Sequence, residues 1–468
     1  MRAAHGTVLL LALLTATFAR ASDGDLDPSF GLAGVAYAGI TDASWYSGMT
    51  VQPDGKVLAC GTHATGNQRD FIVVRFLADG STDPGFGTNG RVSIAFDHAP
   101  YVAYNQCYSL AVQPDGKIVA AGSTRWNVGP AIFGTFAVAR LAGDGTLDPA
   151  FGEGGKATAV GTPGLISVAD AGSVALQADG RIVLGGQLWG IEDDWLTYRF
   201  ALARFMSDGT LDLSFNGTGW TAISFPDDDA VAIAVALDAQ ARIVIAGSST
   251  HSYAKGSGNS DFAVARVLPN GSLDASFGQA GRALVAFDAG GSGSQTDSAY
   301  GLAIDHAGRT VIVGAADTSS TTTANFDIAV ARLLDDGSLD AAFGDAGKVR
   351  VAFDRVPSGM DYARAVVVQA DGKLVLAGGA QGEASSGTPI LGRLADDGSL
   401  DPDFGDGGRR ILHVGSANPE VGVINRAALA GDRLFVSGVE KTAATTSDYF
   451  VARVSITLED GIFANGFE

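Results

Sequence analysis

The sequence predicts an all-β repeat protein, a β-propeller of seven four-stranded antiparallel blades. Three recurring strings carry this expectation. The stretch "AVQPDGKIVAAG" at 111–122 returns as "VQPDGKVLACG" at 51–61 and "VQADGKLVLAGG" at 368–379. Strings of the type "LDPSFG" close at Gly31, Gly87, Gly152, Asn216, Gly278, Gly344 and Gly405, at spacings of 56 to 66 residues. That period falls in the range of propeller blades and other repeat arrays. Strings of the type "DFAVAR" end at Arg75, Arg140, Arg204, Arg266, Arg332, Arg393 and Arg453.

Each unit parses into four strands. The first is the "SLAVQ" type, closed by a tight "PDGK" turn that leads into the second, "IVAAG". Asp-Gly between two short apolar runs is a hairpin signal, because both residues tolerate the left-handed backbone of the turn. A variable connection leads to the third strand, "FAVAR", and a turn of the type "ADGSLDPSFG" to the fourth. The first three are apolar on both faces, as suits sheets stacked between sheets. The fourth alternates: Val349, Val351 and Phe353 face in while Lys348 and Arg350 face water, and Val92, Ile94 and Phe96 repeat the inward set. One half-exposed outer strand and three buried inner ones describe a propeller blade. A linear β-solenoid, the competing architecture, has parallel strands and shorter coils, which the hairpin in every unit opposes.

Composition agrees. Of 468 residues, 46% are hydrophobic, 64 are Gly and only 4 are Met. The formal charge of −20 argues against nucleic-acid or anionic-membrane binding, because both need a basic face. The N-terminal "MRAAHG", the apolar run "TVLLLALLTATF" and the closing "ARA" at 19–21 read as an export signal over 1–21. The expected organisation is this signal, a propeller over 22–455 and a C-terminal tail at 456–468, in a periplasmic or secreted monomer. No segment of the mature chain has the length and apolarity of a membrane-spanning helix. Cys60 and Cys107 are the two cysteines. Two buried free thiols are the simpler reading; a bridge between consecutive units is geometrically conceivable in an oxidising compartment.

The combination "QPDGKIVAAG … FAVARLAGDGTLDPAFG" resembles the delta-60 repeat, an uncharacterised bacterial repeat assigned to β-propellers. The resemblance spans about residues 23 to 455, with departures at "LDAQARIVIAG" and "LAGDRLFVSG". It implies the propeller fold and carries no reaction. The terminal "DGIFANGFE" is similar to tails of the "IFxDGFE" type on exported bacterial proteins, with Asn465 in place of the usual Asp.

Repetition sorts the functional candidates. Residues present in every unit serve the unit, so Arg75 and Asp83, or Arg332 and Asp340, eight apart in sequence, read as strand-end charge pairs. Function belongs to residues that do not recur, on the face carrying the variable connections. Trp126, Trp189, Trp195 and Tyr198, with Glu192, Asp193 and Asp194, concentrate there, as suits sugar stacking or a protein hot spot. Asp42, Asp170, Asp229, Asp297 and Asp361 precede the innermost strands. They read either as loop caps or as the rim of a channel holding a cation such as calcium. The favoured expectation is a binding scaffold for a glycan or protein partner, without a cofactor and with no catalytic residue assigned. The alternative is a propeller-type hydrolase, lyase or lactonase with a cation at the channel mouth. Finally, "YFVAR" at 449–453 lacks a following Asp-Gly turn and "LDxxFG" string, whereas the mature chain opens with "SDGDLDPSFG". Residues 23–40 are therefore expected to complete the last unit, with Asp27 paired to Arg453.

Overall fold

The computed structural model describes residues 22–39, 48–98, 100–129, 131–159, 167–192, 195–225, 228–251, 259–287, 296–319, 325–356, 359–381, 387–414, 422–443 and 446–456. The expected signal at 1–21, and the tail from 457 onward, lie outside these. All regular structure among the described residues is β. After β1 (Val35–Tyr37), the first unit comprises β2 (Gly48–Val51), β3 (Val57–Thr65), β4 (Gln68–Phe76) and β5 (Arg91–Ile94). The second comprises β6 (Ala103–Val112), β7 (Ile118–Val128), β8 (Ala131–Leu141) and β9 (Lys156–Ala159). The third has β10 (Ser167–Leu176), β11 (Ile182–Glu192), β12 (Trp195–Phe205) and β13 (Trp220–Ile223), and the fourth β14 (Asp228–Leu237), β15 (Ile243–His251), β16 (Ser260–Val267) and β17 (Arg282–Val285). The fifth has β18 (Asp297–Ile304), β19 (Thr310–Asp317), β20 (Phe326–Leu333) and β21 (Lys348–Val351), and the sixth β22 (Asp361–Val368), β23 (Leu374–Gln381), β24 (Gly387–Leu394) and β25 (Arg409–Ile411). The last stretch provides β26 (Gly422–Ala430), β27 (Arg433–Ala443) and β28 (Thr446–Ser455).

Hydrogen bonding groups these strands into six sheets, five of four strands and one of eight. The expectation of seven separate sheets is corrected on this point. The eight-stranded sheet is the first unit joined to the second by one parallel pair, Arg69 with Tyr104. The same junction recurs as single parallel bridges between Ser260 and Thr296 and between Phe326 and Met360. Within every unit the pairing is antiparallel, and the last sheet runs β1-β28-β27-β26. Val35, Ala36 and Tyr37 pair with Ala452, Val451 and Phe450, so the two ends of the described chain share a sheet.

Seven apolar clusters form the core among the described residues, each between consecutive units. Val244, Phe262, Ile312 and Ala329, for example, join the fourth unit to the fifth. Another cluster places Phe435 and Val451 of the last sheet against Val57 and Val74 of the first unit. This is why the three inner strands are apolar on both faces. The fourth strands alternate as expected, with Val351 buried, Arg350 exposed and Val349 packed at the edge. Lys348 departs from the expectation: its ammonium folds back to the Ala286 carbonyl and lies over Phe287.

The recurrent Gly of the second strand has a packing reason. Innermost strands carry a bulge, for example between Ala299 and Gly301, and between Ala363 and Ala365. A Cβ on Gly314 would lie 1.9 Å from the Ser298 carbonyl oxygen, and one on Gly378 1.9 Å from that of Tyr362. Only Gly lets the second strand approach the bulge this closely.

Cys60 and Cys107 form a disulfide between β3 and β6. The reading as free thiols is thereby corrected. The two residues, distant by 47 in sequence, lie at adjoining positions of the first and second units with Cα atoms 5.8 Å apart, a separation normal for a bridge.

Candidate ligand-binding face

Strand alternation sends the "PDGK" and "LDxxFG" turns to one end of every unit and the second-to-third strand connections to the other. At the first end the recurrent residues build a clasp. Arg332 Nε donates to Asp340 at 2.8 Å, its Nη1 donates to the Asp396 carbonyl of the next unit at 2.6 Å, and its guanidinium lies 4.3 Å from the Phe343 ring centroid. The same set recurs from Arg75, which bonds Asp83, reaches the Gly143 carbonyl and covers Phe86. A second cation, Lys56, Lys117, Arg181, Arg242, Arg309 or Lys373, approaches the shared aspartate. Burial would raise the Asp340 carboxyl, but hydrogen bonds from Ala342 N–H and Arg332, and the charges of Arg332 and Arg309, hold it below the usual range. The Phe of the string is thus a cation–π partner, a role that sequence spacing alone did not show. The seam repeats the clasp across the chain ends. Arg453 Nε donates to Asp27 at 2.9 Å, Nη2 to Ser29 Oγ at 2.6 Å and Nη1 to the Ala78 carbonyl at 2.7 Å. These groups hold units together and leave little for chemistry.

The aspartates at the start of the innermost strands do not form one cluster. Asp297 accepts from Phe287 N–H at 2.5 Å, and Asp361 from Phe353 N–H at 2.6 Å. Asp229 instead accepts from Tyr198 N–H at 3.0 Å. Each caps backbone of the preceding unit, the simpler of the two sequence readings. Burial, and then the neighbouring Asp327 and Asp354 carboxylates, push Asp361 up to about 6. Asp42 and the Asp170 side chain lie outside the described residues. Among the described residues no three His, Cys, Asp or Glu side chains are grouped to hold a metal. Arg426 of β26 donates to the Tyr108 and Gly172 carbonyls of β6 and β10, at 3.2 and 3.4 Å. A guanidinium therefore braces the innermost strands across the middle of the molecule.

At the opposite end, four connections between second and third strands are themselves hairpins. β11 and β12 pair from Ile182–Phe205 up to Glu192–Trp195. β7 and β8 pair up to Val128–Ala131. The expected loops of the second and third units are thus strand extensions. Trp189 and Tyr198 are cross-strand partners, half-buried, with ring centroids 6.4 Å apart. The side chains of Glu192 and Trp195, and the whole of Asp193, lie outside the described residues. Trp126 is also half-buried. His98 stacks on it at 3.9 Å and its cross-strand partner Phe133 lies parallel at 5.8 Å. Burial lowers the His98 pKa, and its Nε2 is 2.9 Å from Thr124 Oγ1. One face of Trp126 is therefore already covered.

Sequence reasoning missed the residues on the other face of that sheet. Arg69, Tyr104, Arg125 and Gly134 lie in register across four adjacent strands, β4, β6, β7 and β8. Tyr104 is 39% exposed, between Ala103 and Asn105 at 1% each, whereas Arg69 and Arg125 are half-buried and Gly134 is buried. Tyr101, Val102 and Ile132 are also exposed nearby in the second unit. The alternation in "VAYNQ" was a usable signal; the pairing of Tyr104 with Arg69 of another unit was not.

A family model described as "Domain of unknown function (DUF5122) beta-propeller" matches residues 52–86, 113–151, 177–215, 242–277, 308–343 and 369–404. Each match runs from the hairpin to the Phe of the clasp. A search of curated proteins finds no match for the sequence. Among solved structures the chain is similar to a protein of unknown function from Dyadobacter fermentans, at 12% identity and TM-score 0.44, covering 91% of this chain and 100% of that one. It is similar to the polysaccharide lyase Uly1 at 11% identity and TM-score 0.46, covering 95% and 94%. It is similar to Sqt1 from Chaetomium thermophilum at 12% identity and TM-score 0.42, covering 93% and 100%. Likenesses of this size carry no argument about activity. The chain thus carries six repeats matched by the model of a β-propeller repeat family.

Proposed function

We propose that this protein is a secreted, monomeric seven-bladed β-propeller that serves as a binding scaffold for a glycan or a partner protein. The seven-bladed reading counts the joined first and second units as two blades and treats the last sheet as a blade completed by β1. It is supported by the clasp from Arg453 to Asp27 and Ala78 and by the apolar cluster between the last sheet and the first unit. The delta-60 resemblance and the export reading of 1–21 belong to the same proposal. The disulfide is in keeping with an extracytoplasmic location.

One observation carries the binding role. The clasp end repeats from unit to unit, whereas the hairpin end is individual and concentrates half-exposed aromatics in the second and third units. Rigid aromatic side chains on strand extensions offer contact area at low entropic cost. The enzyme reading, with a cation at a channel mouth, has less support, because Asp229, Asp297 and Asp361 are each engaged with backbone N–H groups. A glycan array probed with the mature protein tests the scaffold reading, alongside Trp189→Ala and Tyr198→Ala variants. Binding to a defined class that both variants weaken supports it. Turnover of a glycan or lactone abolished by Asp361→Asn would replace it with the enzyme reading.

A further inference from the structure

Asparagine followed by glycine is the pair most open to loss of the side-chain amide, because glycine has no Cβ to shield its nitrogen. Three such pairs lie among the described residues, Asn89-Gly90, Asn216-Gly217 and Asn270-Gly271, and Asn465-Gly466 lies outside them. All three occur in turns between third and fourth strands, and the structure treats them differently. Gly90 is buried: a Cβ there would lie 2.2 Å from Thr82 Cγ2, and its carbonyl accepts from Arg75 N–H at 3.0 Å. Gly271 is buried too, and its N–H donates to the Leu268 carbonyl at 2.9 Å. Asn270 Oδ1 accepts from Ser272 N–H and Oγ, at 3.0 and 2.8 Å. Asn216 and Gly217, by contrast, are both exposed, and apart from its chain neighbours no heavy atom lies within 4 Å of a Cβ built on Gly217.

The third unit has also rewired this turn. At the equivalent position Leu32, Thr88, Glu153, Gln279, Asp345 and Asp406 each donate N–H to the carbonyl three residues on, at 2.7 to 2.9 Å. In the third unit that carbonyl, of Trp220, instead accepts from Thr218 Oγ1 at 2.7 Å and from Asn216 Nδ2 at 3.2 Å. Among the described residues Gly217 N–H has no backbone acceptor. An exposed peptide without a ladder bond turns at low cost, so the Gly217 nitrogen is able to approach the Asn216 side chain.

We propose that Asn216 is a site of spontaneous amide loss that forms isoaspartate in the folded protein. The Gly217 nitrogen, giving up its proton to solvent base, attacks Asn216 Cγ. The Cγ–Nδ2 bond breaks, the leaving nitrogen takes a proton from water and departs as ammonia, and a five-membered succinimide remains. Water then opens the ring. Cleavage between the nitrogen and Cγ gives aspartate; cleavage between the nitrogen and the backbone carbonyl carbon gives isoaspartate, with the chain rerouted through Cβ and Cγ. Isoaspartate therefore lengthens the backbone between Phe215, whose carbonyl accepts from Gly219 N–H at 2.8 Å, and Gly219, whose carbonyl accepts from Arg204 N–H at 2.9 Å. These bonds frame the clasp of Arg204 with Asp212. Asn216 N–H also donates to the Asn270 carbonyl of the fourth unit at 2.8 Å. The modification thus loosens the junction between the third and fourth units, independently of any binding role.

Peptide mapping by mass spectrometry, with isoaspartate-specific enzymatic methylation, tests this on the intact protein held in mildly alkaline buffer. The expected result is conversion of Asn216 at least about tenfold faster than Asn89 or Asn270, with isoaspartate exceeding aspartate. The same incubation in urea should bring the three pairs to similar rates, since the ranking comes from the fold. Three overturning results are equal rates in the folded protein, faster conversion at Asn89 or Asn270, and an Asn216 that stays intact while the unfolded chain converts. Asn216→Gly installs the residue that the six other strings carry, at a positive φ of 53°. It should abolish the signal at this site and leave the thermal melt of fresh protein no lower. Aged parent protein should melt below fresh protein, and aged Asn216→Gly should not, a comparison that subtracts any change at Asn465. An aged, isoaspartate-bearing parent that melts like fresh protein overturns the loosening of the junction.

Discussion

Replacing Arg453 by Met removes the centre of the seam while keeping its apolar stem. The guanidinium is 3% exposed as a residue and makes three contacts, to Asp27, to Ser29 and to the Ala78 carbonyl of the first unit. It also lies 5.1 Å from the Phe30 ring centroid. Removing one partner of a buried ion pair costs about 3–5 kcal/mol. Asp27 has a 20% exposed side chain and regains some water, which moves the figure toward about 3 kcal/mol. Loss of the cation–π contact and an unpaired Ala78 carbonyl are included in that range rather than added to it, since contacts of one group are not additive. Equilibrium urea unfolding, followed by tryptophan fluorescence, measures the loss. Limited proteolysis then asks whether cleavage begins in residues 22–39. Arg433→Met, whose side chain is 52% exposed, is the control and should cost under about 0.5 kcal/mol. A loss below about 1 kcal/mol in Arg453→Met, or one equal to the control, would refute the claim that the two chain ends are held by this clasp.

Other perturbations read other parts of the fold. Cys60→Ser with Cys107→Ser opens a loop of 47 residues' separation and should lower stability by about 4 kcal/mol on the chain-entropy estimate; a non-reducing thermal melt unchanged from the parent would contradict it. Gly314→Ala drives a methyl group into the Ser298 carbonyl at 1.9 Å and should cost at least about 2 kcal/mol as overpacking against backbone, measured by the same urea titration. The pH profile has two limbs. Asp361, raised to about 6 by burial, binds its proton more readily folded than unfolded, so stability rises by on the order of 2 kcal/mol as pH falls from 7 toward 4. The clasp aspartates, such as Asp340 with its lowered pKa, act oppositely: their stabilisation is complete above about pH 4 and is lost as pH falls through their folded values. Melting temperature against pH should therefore peak between about 4 and 6, and Asp361→Asn should flatten the neutral limb alone.

Much of the architecture was legible because it repeats. A turn such as "PDGK" needs only local chemistry, and Asp54 Oδ1 indeed accepts from Lys56 N–H while Gly55 takes a positive φ of 83°. Strand four of each unit announced its half-exposed place by alternation. The pairing of Arg453 with Asp27 was also readable, since the missing half of the last unit stands at the other end of the chain. The six matched repeats end at residue 404, while the sheet of β26 to β28 is completed by β1 from the other end of the described chain.

The site was less legible. Trp126 is conspicuous in the sequence, but its ring face is taken by His98, a residue from the preceding connection. Asp297 and Asp361 read either as loop caps or as channel ligands in the sequence, and only their N–H donors, Phe287 and Phe353, favour the cap. Tyr104 drew no attention, because nothing local connects it to Arg69, 35 positions earlier. The sequence by itself determined the unit, its turns, its strand count and its alternation of buried and exposed faces, all properties set by interactions over a few residues. Which side chains of different units meet, whether two cysteines bridge, and which of an aromatic's faces stays open were decided only by tertiary structure, because those contacts depend on how one sheet twists and stacks against the next.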